Sequence, residues 1–422
     1  MPLESVEQLR SARAGVTRAG VTRVGALAVF TGRTVLPGAA GSALIAAGAL
    51  GVGWLPSAGA PLGLVGNQLL RSTTAGLVSA GLMVAVGVLL LLHTWLVLGS
   101  DLRSGLAPEP RWLGIALGAW CAPLLLAPPM FSRDVYSYVA QGRVSEAGLD
   151  PYVQGPSSLP AAGAAGVDPM WSDTPSPYGQ LFVLLGERIA DVVGPNTFVG
   201  AVLFRLLALG GVLILLWAVP VLAVAYGIDP ARAVWLGVLN PLVPIHFVAG
   251  AHNDAMMIGL IAAGFAVILR GRPWWGVLLV ALGGAIKPIG LLALPFAAVV
   301  WAGKGASVSR VLRRSVVAGA IGLAVIVTFA LLTGTGVGWL QSLGTPGQVH
   351  TWLSPPTAVG LVMGAAFEAG GLNLTEELVT TARAVGLIIG IVAIAWLCLR
   401  PTTRTPVRSA AIGFLILIAC AP

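Results

Sequence analysis

"AGLVSAGLMVAVGVLLLLHTWLVL", residues 75–98, contains no charged residue. A helix needs roughly 20 apolar residues to cross a hydrocarbon core. This stretch meets that length, and its reading governs the rest of the chain. Comparable runs lie at 35–55, 111–130, 199–226, 233–250, 254–270, 315–333 and 383–399. The run 273–303 is too long for one span and carries Lys287-Pro288 at its centre, so it divides into 273–286 and 289–302. A last run covers 409–420. The count is about eleven spans, give or take two. Of 422 residues, 57% are hydrophobic and 9% charged, against about 25% charged in soluble domains. The expected fold class is an all-α polytopic membrane protein.

Two segments depart from that pattern. "GQLFVLLGERIADVVG", within 179–195, carries Glu187, Arg188 and Asp191 on an apolar background. It reads as an amphipathic helix in the membrane interface. Segment 355–370 holds Glu368 and several glycines. As a span it would place Arg400, Arg404 and Arg408 outside, so it reads as a re-entrant or surface helix.

The net charge of +8 has a simple source. Arginines flanking spans on the cytoplasmic side orient membrane helices. Residues 1–34 form an Arg-rich tail with Arg10, Arg13, Arg18, Arg23 and Arg33, expected inside. Three crossings then place 131–198 outside. Residues 35–422 form one multi-span domain that includes this outer loop. No aromatic-rich basic groove is present, so a nucleic-acid partner is not expected. Cys121, Cys398 and Cys420 all lie in apolar segments and read as small buried hydrophobes.

The loop 131–178 gathers the polar chemistry. It holds Asp134, Glu146, Asp150, Asp168 and Asp173, five of the sixteen acidic residues, and four of the five tyrosines, Tyr136, Tyr138, Tyr152 and Tyr178. Carboxylates accept hydrogen bonds from sugar hydroxyls, and aromatic rings cover the apolar face of a pyranose. Its first part, "FSRDVYSYVAQGR" (131–143), follows directly on a membrane exit and adds Arg133, Gln141 and Arg143. The alternatives at these positions are an interfacial cap or an Arg133 partner for Asp134, and interface-belt packing for the tyrosines. The i, i+2 spacing of Tyr136 and Tyr138 puts them on different helix faces. "GLDPY" (148–152) and "TPSPYG" (174–179) are turn-rich.

A second cluster is "GAHNDAMMIGL" (250–260), with His252, Asn253 and Asp254 at an outer end. Headgroup hydrogen bonding and helix capping by Asn253 or Asp254 both suit it. Two candidate ligands make a poor metal site, and no metal is expected. The third is "GAIKPIG" (284–290). Lys287 is one of two lysines in the chain and stands within apolar surroundings. A lysine at membrane depth is costly and points to function, with a phosphate or a carboxylate as its partner; a structural ion pair with Asp254 is the alternative. His350, Trp352 and Ser354 form a further outer group. His93 and His246 lie within spans and are expected to pack there or to hydrogen-bond between helices.

"RDVYSYVAQGR…GLDPY", "TPSPYG", "HNDAMMIGL" and "KPIGLLALPF", in this order, resemble the actinobacterial polyprenol-phosphate-mannose-dependent alpha-(1→6)-mannosyltransferases. The resemblance covers roughly 110–360. These are GT-C-fold membrane enzymes of lipomannan and lipoarabinomannan synthesis. The resemblance implies a polyprenyl-phosphate-mannose donor, a mannan lipoglycan acceptor, a membrane-lipid environment and an active site on the outer face of the plasma membrane. It also implies inversion at the anomeric carbon, with Asp134 matching the acidic base of the first large outer loop. Such a reaction needs one carboxylate and a cation for the leaving phosphate, with Lys287, Arg133 and Arg143 available, and no cofactor. Tyr136, Tyr138, Gln141, Asp150, Tyr152, Tyr178, His252, Asn253, Asp254 and His350 are the expected substrate-binding residues. Family members usually continue past the equivalent of "LILIACAP", so a truncated C-terminus is expected. Rival readings are arabinosyl or protein-mannosyl transfer by a related enzyme, a secondary transporter, and a non-catalytic partner that binds the lipid carrier.

Overall fold

A computed structural model of the chain describes residues 23–55, 69–105, 108, 110–336, 338–340, 352–399 and 406–420. Helix is the only regular structure among them. α1 is continuous through Arg23–Phe30, a wider π-helical turn at Thr31–Val35, and Leu36–Val52. It therefore begins before the expected tail ends, and Arg33 lies inside it, paired with Asp101 at 3.2 Å. α2 is Thr74–Arg103, α3 Pro110–Leu125, α4 Asp134–Glu146, α5 Gln180–Val193, α6 Thr197–Ala225 and α7 Pro230–Gly237. α8 is Asp254–Leu269, α9 Pro273–Ile286, α10 Ala293–Ala302, α11 Val308–Thr333, α12 Pro355–Ala369, α13 Thr375–Leu399 and α14 Pro406–Cys420.

Local chemistry sets the boundaries. Thr73 caps α2 by accepting from the Gly76 N–H at 3.0 Å, and Asn196 caps α6 through Val199 at 3.1 Å. Pro230, Pro273 and Pro355 occupy first turns, where no N–H is needed. The run 233–250 is not one span. Asn240 accepts from the Leu242 N–H at 3.0 Å, and Pro241 and Pro244 remove backbone donors. The chain leaves α7, turns, forms the π-helical segment Val243–Ala249, and bends by 114° into α8.

The helices are apolar on their outsides. Leu82 and Leu89 on α2, Val316 and Leu331 on α11, and Ile388 and Val392 on α13 are all exposed. A chain of this kind is membrane-embedded. Among the described residues, five helices are long and apolar enough to cross a bilayer, and the bent pair makes six. Four shorter apolar helices, of 10–17 residues, accompany them.

Small residues bring the helices together. A Cβ on Gly259 of α8 would stand 2.5 Å from the Gly211 carbonyl oxygen of α6, so the two backbones touch there. One apolar core surrounds Trp120 and Leu124, and a second surrounds Tyr138, Phe204 and Phe296. The first core includes Ala249 and Ala255, and the second includes Ala251 and Met257. Both cores thus reach the bend before α8.

Candidate active site

Asp134 opens α4. Just before it, Phe131 adopts a left-handed φ of 69°, and the Asp134 N–H donates to Ser132 Oγ at 3.1 Å. This kink turns the chain abruptly from the end of α3 into α4. The carboxylate then occupies the first helical turn, where it complements the positive end of the helix dipole.

A second kink lies at the bend before α8, where Ala251 has a φ of 54°. Phe131 and Ala251 are the two non-glycine residues with positive φ among the described residues. Backbone of this kind costs about 1–3 kcal/mol per residue and gathers at functional sites. Here the two kinks bring side chains together. His252 Nδ1 lies 3.4 Å from Asp134 Oδ2. The His246 ring stands 6.4 Å from that of His252 and 6.3 Å from that of Phe131.

Lys287 occupies the break between α9 and the short turn Pro288–Leu292, with extended backbone. Its ammonium donates to both carboxylate oxygens of Asp254, at 3.0 and 2.9 Å. Neither side chain is fully covered: 32% of Lys287 and 29% of Asp254 remain exposed. Asp134, Asp254, Lys287 and His246 all act electrostatically on His252. Acid, imidazole, acid and ammonium thus form one half-open cluster.

Aromatic rings form the inner wall. Tyr138 lies one turn beyond Asp134, edge-on to Tyr178 at 5.1 Å and to Phe182 at 5.0 Å. Burial pushes both phenols above the ordinary tyrosine range, and the Asp134 and Asp254 charges push the same way. Both hydroxyls therefore remain protonated donors. Tyr178 is fixed from two sides. Tyr152 Oη donates to its carbonyl at 2.9 Å, and the Gly179 N–H donates to Ile286 O at 3.0 Å. Any side chain at residue 179 would collide with Ala285, because a Cβ there would be 2.1 Å from its carbonyl oxygen. "TPSPYG" is in this way clamped to the strand-like break that carries Lys287.

Several expected site residues serve elsewhere. Arg143 is buried and donates to Gly163 O at 3.0 Å, Thr197 Oγ1 at 3.1 Å and Gly194 O at 2.9 Å. It braces the far end of α4 and does not join the Asp134 cluster. With Glu146 and Asn196 it lines a cavity of about 740 Å³ that none of Asp134, His252, Asp254 or Lys287 borders. Tyr136 points away from Asp134 and donates to Trp54 O at 2.6 Å. Asp150 accepts from the Tyr152 N–H at 2.9 Å and builds a turn, and Tyr152 is itself buried.

Asn253 is 2% exposed, and among the described residues neither its amide nitrogen nor its oxygen has a partner. It neither reaches the open side nor caps α8. Gln141 is buried two turns along α4 from Asp134. Arg133 lies over the Trp54 ring at 3.5 Å and pairs with Asp168 at 3.5 Å, and among the described residues its buried Nε has no partner. His350 lies outside the described residues. His93 is exposed on α2 and does not pack inside.

Sequence reasoning missed two residues. His246 is exposed at the cluster, not packed within a span. Arg205 of α6 is fully buried and donates to the carbonyls of Ala249 and Leu125. The signal for Arg205 was present, since a charge within an apolar span is a functional marker. Among the described residues, no three His, Cys, Asp or Glu side chains converge as metal ligands.

A family model for the N-terminal domain of alpha-(1->6)-mannopyranosyltransferases matches residues 35–303. That interval contains both kinks, Asp134, His252, Asp254 and Lys287. The chain belongs to this family. Alpha-(1->6)-mannopyranosyltransferase A of Mycobacterium tuberculosis is 37% identical over 397 residues, 91% of this chain and 76% of the relative. Alpha-(1->6)-mannopyranosyltransferase A of Corynebacterium glutamicum is 32% identical over 359 residues, 78% of this chain and 73% of the relative. No solved structure matches the chain.

Proposed function

We propose that this chain is an inverting mannosyltransferase that moves mannose from polyprenyl-phosphate-mannose to an alpha-(1→6)-mannan chain of a membrane lipoglycan. The reaction takes place at the outer face of the plasma membrane. The observation that carries this reading is the Asp134–His252 contact at 3.4 Å, made between two left-handed kinks within the interval of family similarity.

Asp134 is the base. It takes the proton of an acceptor hydroxyl while that oxygen bonds to the anomeric carbon of mannose. The bond from that carbon to the phosphate oxygen breaks, and its electron pair leaves with the lipid phosphate. Attack opposite the leaving group inverts the configuration. His252 fixes the orientation of the Asp134 carboxylate. The leaving group is a stable phosphate anion, so no second carboxylate is needed as acid. Lys287, aimed by Asp254, supplies the charge that the departing phosphate requires. Tyr178, which is half-buried, offers a neutral hydroxyl and a ring face to the sugar, and the buried Tyr138 backs it edge-on. Side-chain cations suffice for a monophosphate donor, so the reading invokes no metal or other cofactor.

The test is Asp134→Asn, assayed in membranes with polyprenol-phosphate-mannose and a mannan acceptor. Turnover should fall by roughly 10³-fold or more, as for loss of a catalytic base. Near-normal turnover at equal protein level defeats the assignment.

A further inference from the structure

Arg205 is an expensive residue to place where it is. It lies about 12 Å along α6 from Thr197, within a span, at 0% exposure. Its described partners are backbone carbonyls, not a carboxylate. Nε and Nη2 both donate to Ala249 O at 3.1 Å, and Nη1 donates to Leu125 O at 3.1 Å. A planar guanidinium with fixed fork geometry can grip two backbone segments at once, which an ammonium cannot do.

The identity of those carbonyls matters. Ala249 ends the π-helical segment and immediately precedes the bend that contains Ala251 and His252. Leu125 ends α3, just before the stretch that kinks at Phe131 and delivers Asp134. Both strained turns thus leave from points held by one side chain. A third tie joins the same region: Tyr136, beside Arg205 electrostatically, donates to Trp54 O, while the Trp54 N–H donates to Pro129 O at 2.8 Å.

We infer that Arg205 is a positioning residue for the transfer reaction: it sets the register between the Asp134 turn and the His252 turn. The inference rests on the reading of Asp134 as base. It assigns Arg205 no contact with substrate. The buried charge is retained because it fixes two turns that relaxed backbone would not hold.

The experiment is a double-mutant cycle on the full chain in membranes. Arg205→Lys keeps the charge and loses the fork. It should reduce kcat by roughly 10–100-fold while leaving the donor KM within about twofold, since displacement of a base costs rate more than binding. In a His252→Ala background the same substitution should cost less than about threefold, because the contact it aligns is already gone. Losses that multiply across the cycle, or wild-type kcat in Arg205→Lys, overturn the inference. If Arg205→Lys fails to accumulate, Ala251→Gly is added, because glycine adopts the left-handed turn without a Cβ penalty. Restored accumulation then supports the role in holding that turn, and no restoration refutes it. Failure of the base assignment shows separately, as near-normal turnover of Asp134→Asn.

Discussion

The ammonium of Lys287 stands between the two carboxylate oxygens of Asp254, 3.0 and 2.9 Å away. The pair joins the break after α9 to the first turn of α8, and each partner keeps a face open. In the proposed reaction the pair is an aimed cation. Lys287→Met should lower kcat/KM for the donor by roughly 10²-fold, the usual loss for one stabilising donor. Asp254→Asn leaves the cation in place but unaimed, and should cost less. The double variant should resemble Lys287→Met. Initial rates in membranes with matched protein levels check all three.

His252→Ala removes the neighbour that holds the Asp134 carboxylate. The expected loss is roughly 10–100-fold in kcat, with donor KM little changed, as befits orientation and not binding. A large rise in KM with kcat intact would place His252 on the substrate instead.

Gly179 has no room for a methyl group, with its Cβ position 2.1 Å from Ala285 O. Gly179→Ala should therefore destabilise by at least about 2 kcal/mol, as overpacking does, and disturb Tyr178 and Lys287 together. Gly118 on α3 is the control. A Cβ there meets nothing within 4 Å among the described residues, and Gly118→Ala should be neutral or slightly stabilising. Thermal unfolding in detergent compares the two.

Arg143 braces the end of α4 through three hydrogen bonds and touches no part of the Asp134 cluster. Arg143→Gln should lower the unfolding temperature while leaving donor KM unchanged in the protein that remains folded. A selective rise in donor KM would return Arg143 to the phosphate site.

Alkaline pH offers a test of the buried tyrosines. Burial raises the phenols of Tyr136, Tyr138 and Tyr152 above the ordinary tyrosine value. The unfolded chain ionises near pH 10, the folded chain only at higher pH. Above about pH 10 the unfolded state thus binds fewer protons, and stability falls as pH rises. Each buried phenol contributes a slope of about 1.4 kcal/mol per pH unit in that window, and each Tyr→Phe substitution should remove its share. Tyrosinate absorbance alongside unfolding measures both.

What could be read from the sequence was composition and the clustering of polar residues. Asp134, His252, Asp254 and Lys287 are conspicuous in so apolar a chain, and the structure gathers all four. The i, i+2 spacing of Tyr136 and Tyr138 also held its meaning: one ring faces the cluster, the other reaches Trp54. Roles that depend on partners distant in the chain were invisible. Arg143 answers to Gly163, Gly194 and Thr197, and nothing local marks those partners. Segment 233–250 misled for a related reason. Its hydrophobicity suits a span, but Pro241 and Pro244 interrupt the backbone ladder.

The contact between Gly211 and Gly259 reaches further than packing. α8 carries Asp254 at its start, and α6 carries Arg205 six residues, about 1.7 turns, before the crossing. At the crossing nothing but main chain separates the two helices. Side chains can adjust rotamers to absorb a sideways push; peptide planes in contact have no such slack. A shift of one helix in the bilayer is therefore passed directly to its neighbour, and the placing of Asp254, at the start of α8, is set at a point with no side chain to tune.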